Sequence, residues 1–80
     1  MNISVRKVVE TAVRNRASSV ILAHNHPGGV ALPSREDERI TVEIASALKL
    51  VGIPLVDHII VAGDDYVSFA DSGMLGLCNG

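Results

Sequence analysis

The sequence predicts a small α/β domain, in which helices pack against a mixed sheet. Two observations lead there. Residues 5–13 and 35–51 each carry apolar side chains at helical spacing, while "SVILA" and "LVDHIIVAG" are short branched runs of strand length. Turn chemistry separates these segments, giving the order helix, strand, helix, strand, strand.

Ser4 can cap the first helix, "VRKVVETAVRNR". Val5, Val8, Val9, Ala12 and Val13 form its apolar stripe, and Arg6, Lys7, Glu10, Arg14 and Arg16 fall outside it. The run "SVILA" at 19–23 then reads as a strand covered on both faces. "HNHPGGVALP" has turn chemistry and no periodicity. Ser34 opens the second helix, over about 35–51, which Gly52 and Pro54 end. "LVDHIIVAG" reads as a second buried strand, and "GDD" turns the chain into "YVSFA", an antiparallel third strand. The tail "DSGMLGLCNG" is expected to be partly mobile.

Composition narrows the function. Eighty residues make one domain, 1–80, with 48% hydrophobic and 20% charged residues. Tyr66 and Phe69 are its two aromatics, so the core rests on Val, Ile, Leu and Ala. A net charge of −2 gives no electrostatic argument for nucleic acid, which would favour a basic face. The single cysteine, Cys78, rules out an internal disulfide framework and points to a reduced, cytoplasmic setting. The N-terminus has no apolar signal-peptide run, and no stretch reaches the roughly 18 apolar residues of a membrane span. The chain opens on a helix without a preceding strand, and three strands with few aromatics make a meagre sheet. Homodimerisation, or residues normally preceding Met1, would complete it.

The chemistry concentrates in "AHNHPGGVALPSREDE", residues 23–38. Alternation along an extended segment puts His24 and His26 on one side, where two imidazoles can share a metal. Zinc suits such a set, with a carboxylate as third ligand and a fourth position for water. Asp37 is the nearest acidic candidate. It also fits a plain capping box, Ser34 at the N-cap and Asp37 at N3. On a helical wheel starting at Arg35, Ile40, Ile44, Ala47, Leu48 and Val51 span about 120–220°. Asp37, at about 200°, falls within that arc. A carboxylate aimed at the core is costly unless paired or metal-bound, which favours ligation.

Other candidates have plainer readings. Asn25 points away from the two histidines and suits a turn-stabilising amide. Gly28 and Gly29 supply backbone freedom, although their amides could form an anion nest. His58, beside Asp57 in the second strand, reads as a core histidine bonded to a neighbour rather than a ligand. Glu10 reads as solvated, and Asp64 and Asp65 as turn residues. The adjacent letters "HNH" are not the HNH nuclease motif, whose residues lie far apart. The His-x-Glu and Pro-Cys-x-x-Cys of zinc deaminases are absent, as is a His-Glu-x-x-His helix.

His24-x-His26, seven residues, Ser34, two residues and Asp37 resemble the JAMM motif of the MPN/JAB metallopeptidases. "VILAHNHPGG", "PSREDERIT" and "LVGIPLVDHIIV" resemble the bacterial RadC family within it, over about Val5 to Leu75. "HNHPGG" departs slightly from the commoner "HNHPSG". The resemblance implies a three-layer-type α/β sandwich like that of cytidine deaminases. It implies zinc on His24, His26 and Asp37, oxyanion stabilisation by Ser34, and metal-assisted hydrolysis of a peptide- or isopeptide-like amide. The family's upstream acid–base glutamate has no match here, since Glu10 lies in the wrong element. The chain therefore resembles the C-terminal portion of such a domain, without its first strands and that catalytic glutamate. The family name also suggests a non-catalytic role in DNA repair or recombination, which the acidic charge and missing aromatic platform disfavour. A third reading is an interaction module with a degenerate site and an exposed sheet edge.

Overall fold

A computed structural model describes residues 4–27 and 31–73. The elements run α1 (Val5–Arg14), β1 (Val20–Asn25), α2 (Arg35–Leu50), β2 (Leu55–Ala62) and β3 (Asp65–Ser68). This is the α/β order expected. The sheet is mixed, in the order β1-β2-β3, with β1 and β2 parallel and β2 and β3 antiparallel.

Both helices start and stop as their residues dictate. Ser4 and Ser34 sit at the N-caps, and their hydroxyls accept from the Lys7 and Asp37 main-chain N–H groups. Both ends close by the same pair of bonds. Arg16 and Ala17 donate to Val13 and Ala12, and Gly52 and Ile53 to Lys49 and Leu48. The turn residue is left-handed in each, Gly52 at φ 76° and Arg16 at φ 50°. Glycine adopts this freely and arginine at a cost, so the second helix ends on the better residue.

Ala12, Ile44, Ala45, Leu48, Ile53 and Leu55 form the main core, with Val5, Val8, Val9, Val20 and Leu22 packed on it. A second cluster joins Ala31, Ile60, Ala62 and Phe69. Among the described residues both helices thus lie on one face of the mixed sheet, consistent with the α/β fold expected. Among the described residues the opposite face is open. Ile21 is 59% exposed and Tyr66 63%, and Val56 and Val61 are exposed beside them. This corrects the expectation that β1 and β2 are covered on both faces. Their burial alternates, because the described residues place partners on one side alone.

The α2 wheel needs a similar correction. Its buried residues are Thr41, Ile44, Ala45 and Leu48, while Val51 is exposed. The covered arc is therefore centred about 60° beyond the one the apolar residues suggest, and Asp37 still falls within it. Residues 74–80 of the tail, with Cys78, and the Gly28–Gly29 turn lie outside the described residues.

Candidate metal centre

β1 ends at the open end of the sheet, and its residues alternate between the two faces. Val20, Leu22 and His24 turn toward the helices, and Ile21, Ala23 and Asn25 toward the open face. His26 continues beyond the strand on the His24 side, its main-chain N–H donating to the Val61 carbonyl at 2.7 Å. The first turn of α2 closes over the pair. There Asp37 completes the capping box, its Oδ2 accepting from the Ser34 N–H at 2.8 Å. The same carboxylate faces both imidazoles. His24 Nε2 lies 3.5 Å from Oδ1, and His26 Nε2 lies 3.3 Å from Oδ2. Capping and ligation are thus compatible rather than alternative: the cap aims the carboxylate inward.

Donor atoms of His24, His26 and Asp37 all lie within 4.8 Å of one another. The separations of 3.5 and 3.3 Å between Asp37 and the imidazoles exceed the usual N–H···O hydrogen bond. Each runs to a different oxygen of the carboxylate, and each is close to the separation of about 3.3–3.4 Å between ligands that hold one ion at about 2.0–2.1 Å. Two imidazoles and one carboxylate also form a familiar three-ligand set with a fourth position to spare. The residues present fit a metal ion.

Electrostatics agree. Burial, although it opposes ionisation, is outweighed at Asp37 by the hydrogen bonds from Ser34 and by the two histidines, so its carboxyl is held below the usual value. Burial lowers the His24 pKa despite the attraction of Asp37, keeping the ring neutral and able to ligate. The side chain of His24 is 4% exposed and that of His26 29%. A cleft of about 570 Å³ opens beside them, lined also by Ser34, Asn25, Glu36 and Arg39.

Ser34 stands at the cleft's edge as the N-cap. Glu10 pairs with Arg6 at 2.8 Å on the exposed side of α1, as a solvated residue should. Asn25 is exposed and, although it alternates with His24 along β1, it also borders the cleft. His58 proves closer to the site than its sequence position suggests. Its Nε2 lies 2.9 Å from His24 Nδ1, and its Nδ1 lies 2.6 Å from Thr41 Oγ1. Its ring partners are therefore His24 and Thr41, and not Asp57. Asp57 instead accepts from the His58 and Ala70 N–H groups and the Ser68 hydroxyl. Sequence reasoning missed Thr41. The signal was its place four residues after Asp37, on the face shared with Ile44 and Leu48.

Among the described residues no helix is long and apolar enough to cross a membrane. Comparison with known proteins shows the family. A sequence model described as "RadC-like JAB domain" matches residues 1–74. A UPF0758 protein of Pseudoalteromonas translucida is 51% identical over 70 residues, and one of Thioalkalivibrio sulfidiphilus 54%. A third, from Bordetella petrii, is 53% identical. Each alignment takes in 88% of this chain and 31% of the relative, so the chain spans about a third of their length. With its His-x-His, serine and aspartate gathered at one strand end, the chain belongs to the RadC-like JAB domain family.

Proposed function

We propose that this domain holds one zinc ion on His24, His26 and Asp37 and serves hydrolysis of an amide bond, in a peptide or isopeptide-like substrate. The observation that carries the reading is the convergence of one donor atom each from His24, His26 and Asp37 to within 4.8 Å of one another. Bound there, zinc would supply a water of lowered pKa and a Lewis acid for the scissile carbonyl.

The chain's own residues do the rest. Asp37 offers the negative charge that two neutral imidazoles lack. Ser34 Oγ accepts the Asp37 N–H at 3.1 Å, which leaves its own hydrogen available to donate toward an oxyanion in the cleft. Glu36 and Arg39 at the rim present both charges to a substrate backbone laid across the cleft. The glutamate that the resemblance implies for proton transfer has no counterpart in the metal cluster among the described residues. The single cysteine fits a reducing, cytoplasmic setting.

The test is metal analysis joined to peptide and isopeptide hydrolysis, on this chain and on a chain extended at its N-terminus. The reading expects one zinc per chain in both, with chelator-sensitive hydrolysis at least in the extended form. Absence of zinc from wild-type protein, or hydrolysis indifferent to chelator, would overturn it.

A further inference from the structure

We infer that His58 is a positioning residue that sets the tautomer of His24 and ties it to Asp37 through Thr41. The inference rests on the metal site proposed above and follows from hydrogen-bond inventory together with burial. Thr41 Oγ1 lies 2.6 Å from the Asp37 carbonyl oxygen, which can only accept, so the one hydroxyl hydrogen of Thr41 is spent there. Toward His58 Nδ1, at 2.6 Å, Thr41 can then only accept, so that nitrogen carries a hydrogen.

His58 is fully buried, at 0% exposure, and among the described residues its ring nitrogens meet His24 and Thr41 rather than a carboxylate. Asp57 is its chain neighbour but is directed to the main-chain N–H of His58 and to Ser68. A cation there would be buried without a partner, so the ring is neutral and its Nε2 is a lone pair. Across 2.9 Å, His24 Nδ1 must therefore be the donor. What remains on His24 is a bare Nε2, the atom that faces Asp37 Oδ1.

The relay begins on one ligand and ends on the main chain of another. It runs from His24 to His58, to Thr41, to the Asp37 carbonyl. Phe69 holds the His58 ring from one side, with ring centroids 4.8 Å apart and planes 25° from parallel. His24 is thus presented in its metal-binding form before any ion arrives. Partners behind metal-binding histidines commonly contribute about 10–100-fold to metal affinity.

The experiment uses the whole chain with zinc as the probe. Long-range ¹H–¹⁵N spectra of the zinc-free protein report the His24 tautomer, and competition with a chromophoric chelator reports zinc affinity. The variants are H58F, which keeps a ring but no acceptor, H58Q, whose carbonyl can accept from His24, and T41V. Wild type is expected in the Nδ1–H form. H58F and T41V should mix the tautomers and weaken zinc binding about 10–100-fold, and H58Q should recover most of the loss. A wild-type His24 in the Nε2–H form would overturn the inference, and needs no variant to fold. So would a folded H58F with unchanged affinity, or a folded H58Q as weak as H58F. A wild type in the Nδ1–H form that takes up no zinc would instead overturn the metal site, and the positioning role with it.

Discussion

His24 and His26 are the same residue on the same side of one strand end, yet the fold treats them differently. His24 has β2 and α2 behind it, so its far nitrogen meets His58 and its ring is nearly inaccessible. His26 has passed the end of β1 and stands with its ring beside the cleft. One imidazole is part of the core and of the site; the other belongs to the site alone. The difference shows that ligand identity comes from the sequence spacing, whereas ligand rigidity comes from what packs behind it.

Alanine substitution should separate the two most strongly. Both H24A and H26A are expected to lose zinc, but in zinc-free protein H24A should also cost about 2–4 kcal/mol. It leaves a buried hole and deprives His58 Nε2 of its donor. H26A should stay within about 0.5 kcal/mol, as partly exposed positions do. Urea unfolding in chelator would measure both, and equal losses would erase the distinction.

Next in size is D37A. It removes the carboxylate facing both histidines and one half of the capping box, so zinc binding should be lost and helix stability should fall by about 0.5–1 kcal/mol. Ser34→Ala should show the converse, with about 1 kcal/mol of lost stability and retained zinc.

A third contrast is pH. Burial lowers the His24 and His58 pKa values in the folded, zinc-free chain below the unfolded reference of 6.5. Between the folded and unfolded values the unfolded chain binds more protons, so the stabilisation is complete above about pH 6.5 and is lost as pH falls below it. H24A should flatten that part of the stability profile, measured by thermal unfolding of zinc-free protein across pH 5–8. The smallest effect concerns the same strand turned over: Ile21→Thr, on the open face, should change stability within about 0.5 kcal/mol.

Much of this was legible in the letters. The two-residue spacing of the histidines, the Ser34 cap and the inward place of Asp37 follow from periodicity, and the structure brings the three donors together. What periodicity could not supply was the neighbour across the sheet. His24 and His58 are 34 residues apart, and they meet because β1 and β2 run parallel in a register that pairs Leu22 with His58. That register depends on the irregularity between Val20 and Ile21, which no local pattern announces. Apolar runs also mislead about layers, because Ile21 and Val61 look like core residues but face outward here.

X-ray absorption at the zinc edge of the loaded chain reads the ligand set itself. Two imidazoles and light oxygen ligands at about 2.0–2.1 Å are expected, with H58Q giving the same spectrum as wild type. A sulfur ligand at about 2.3 Å, or a third imidazole that disappears in H58Q, would contradict that ligand set.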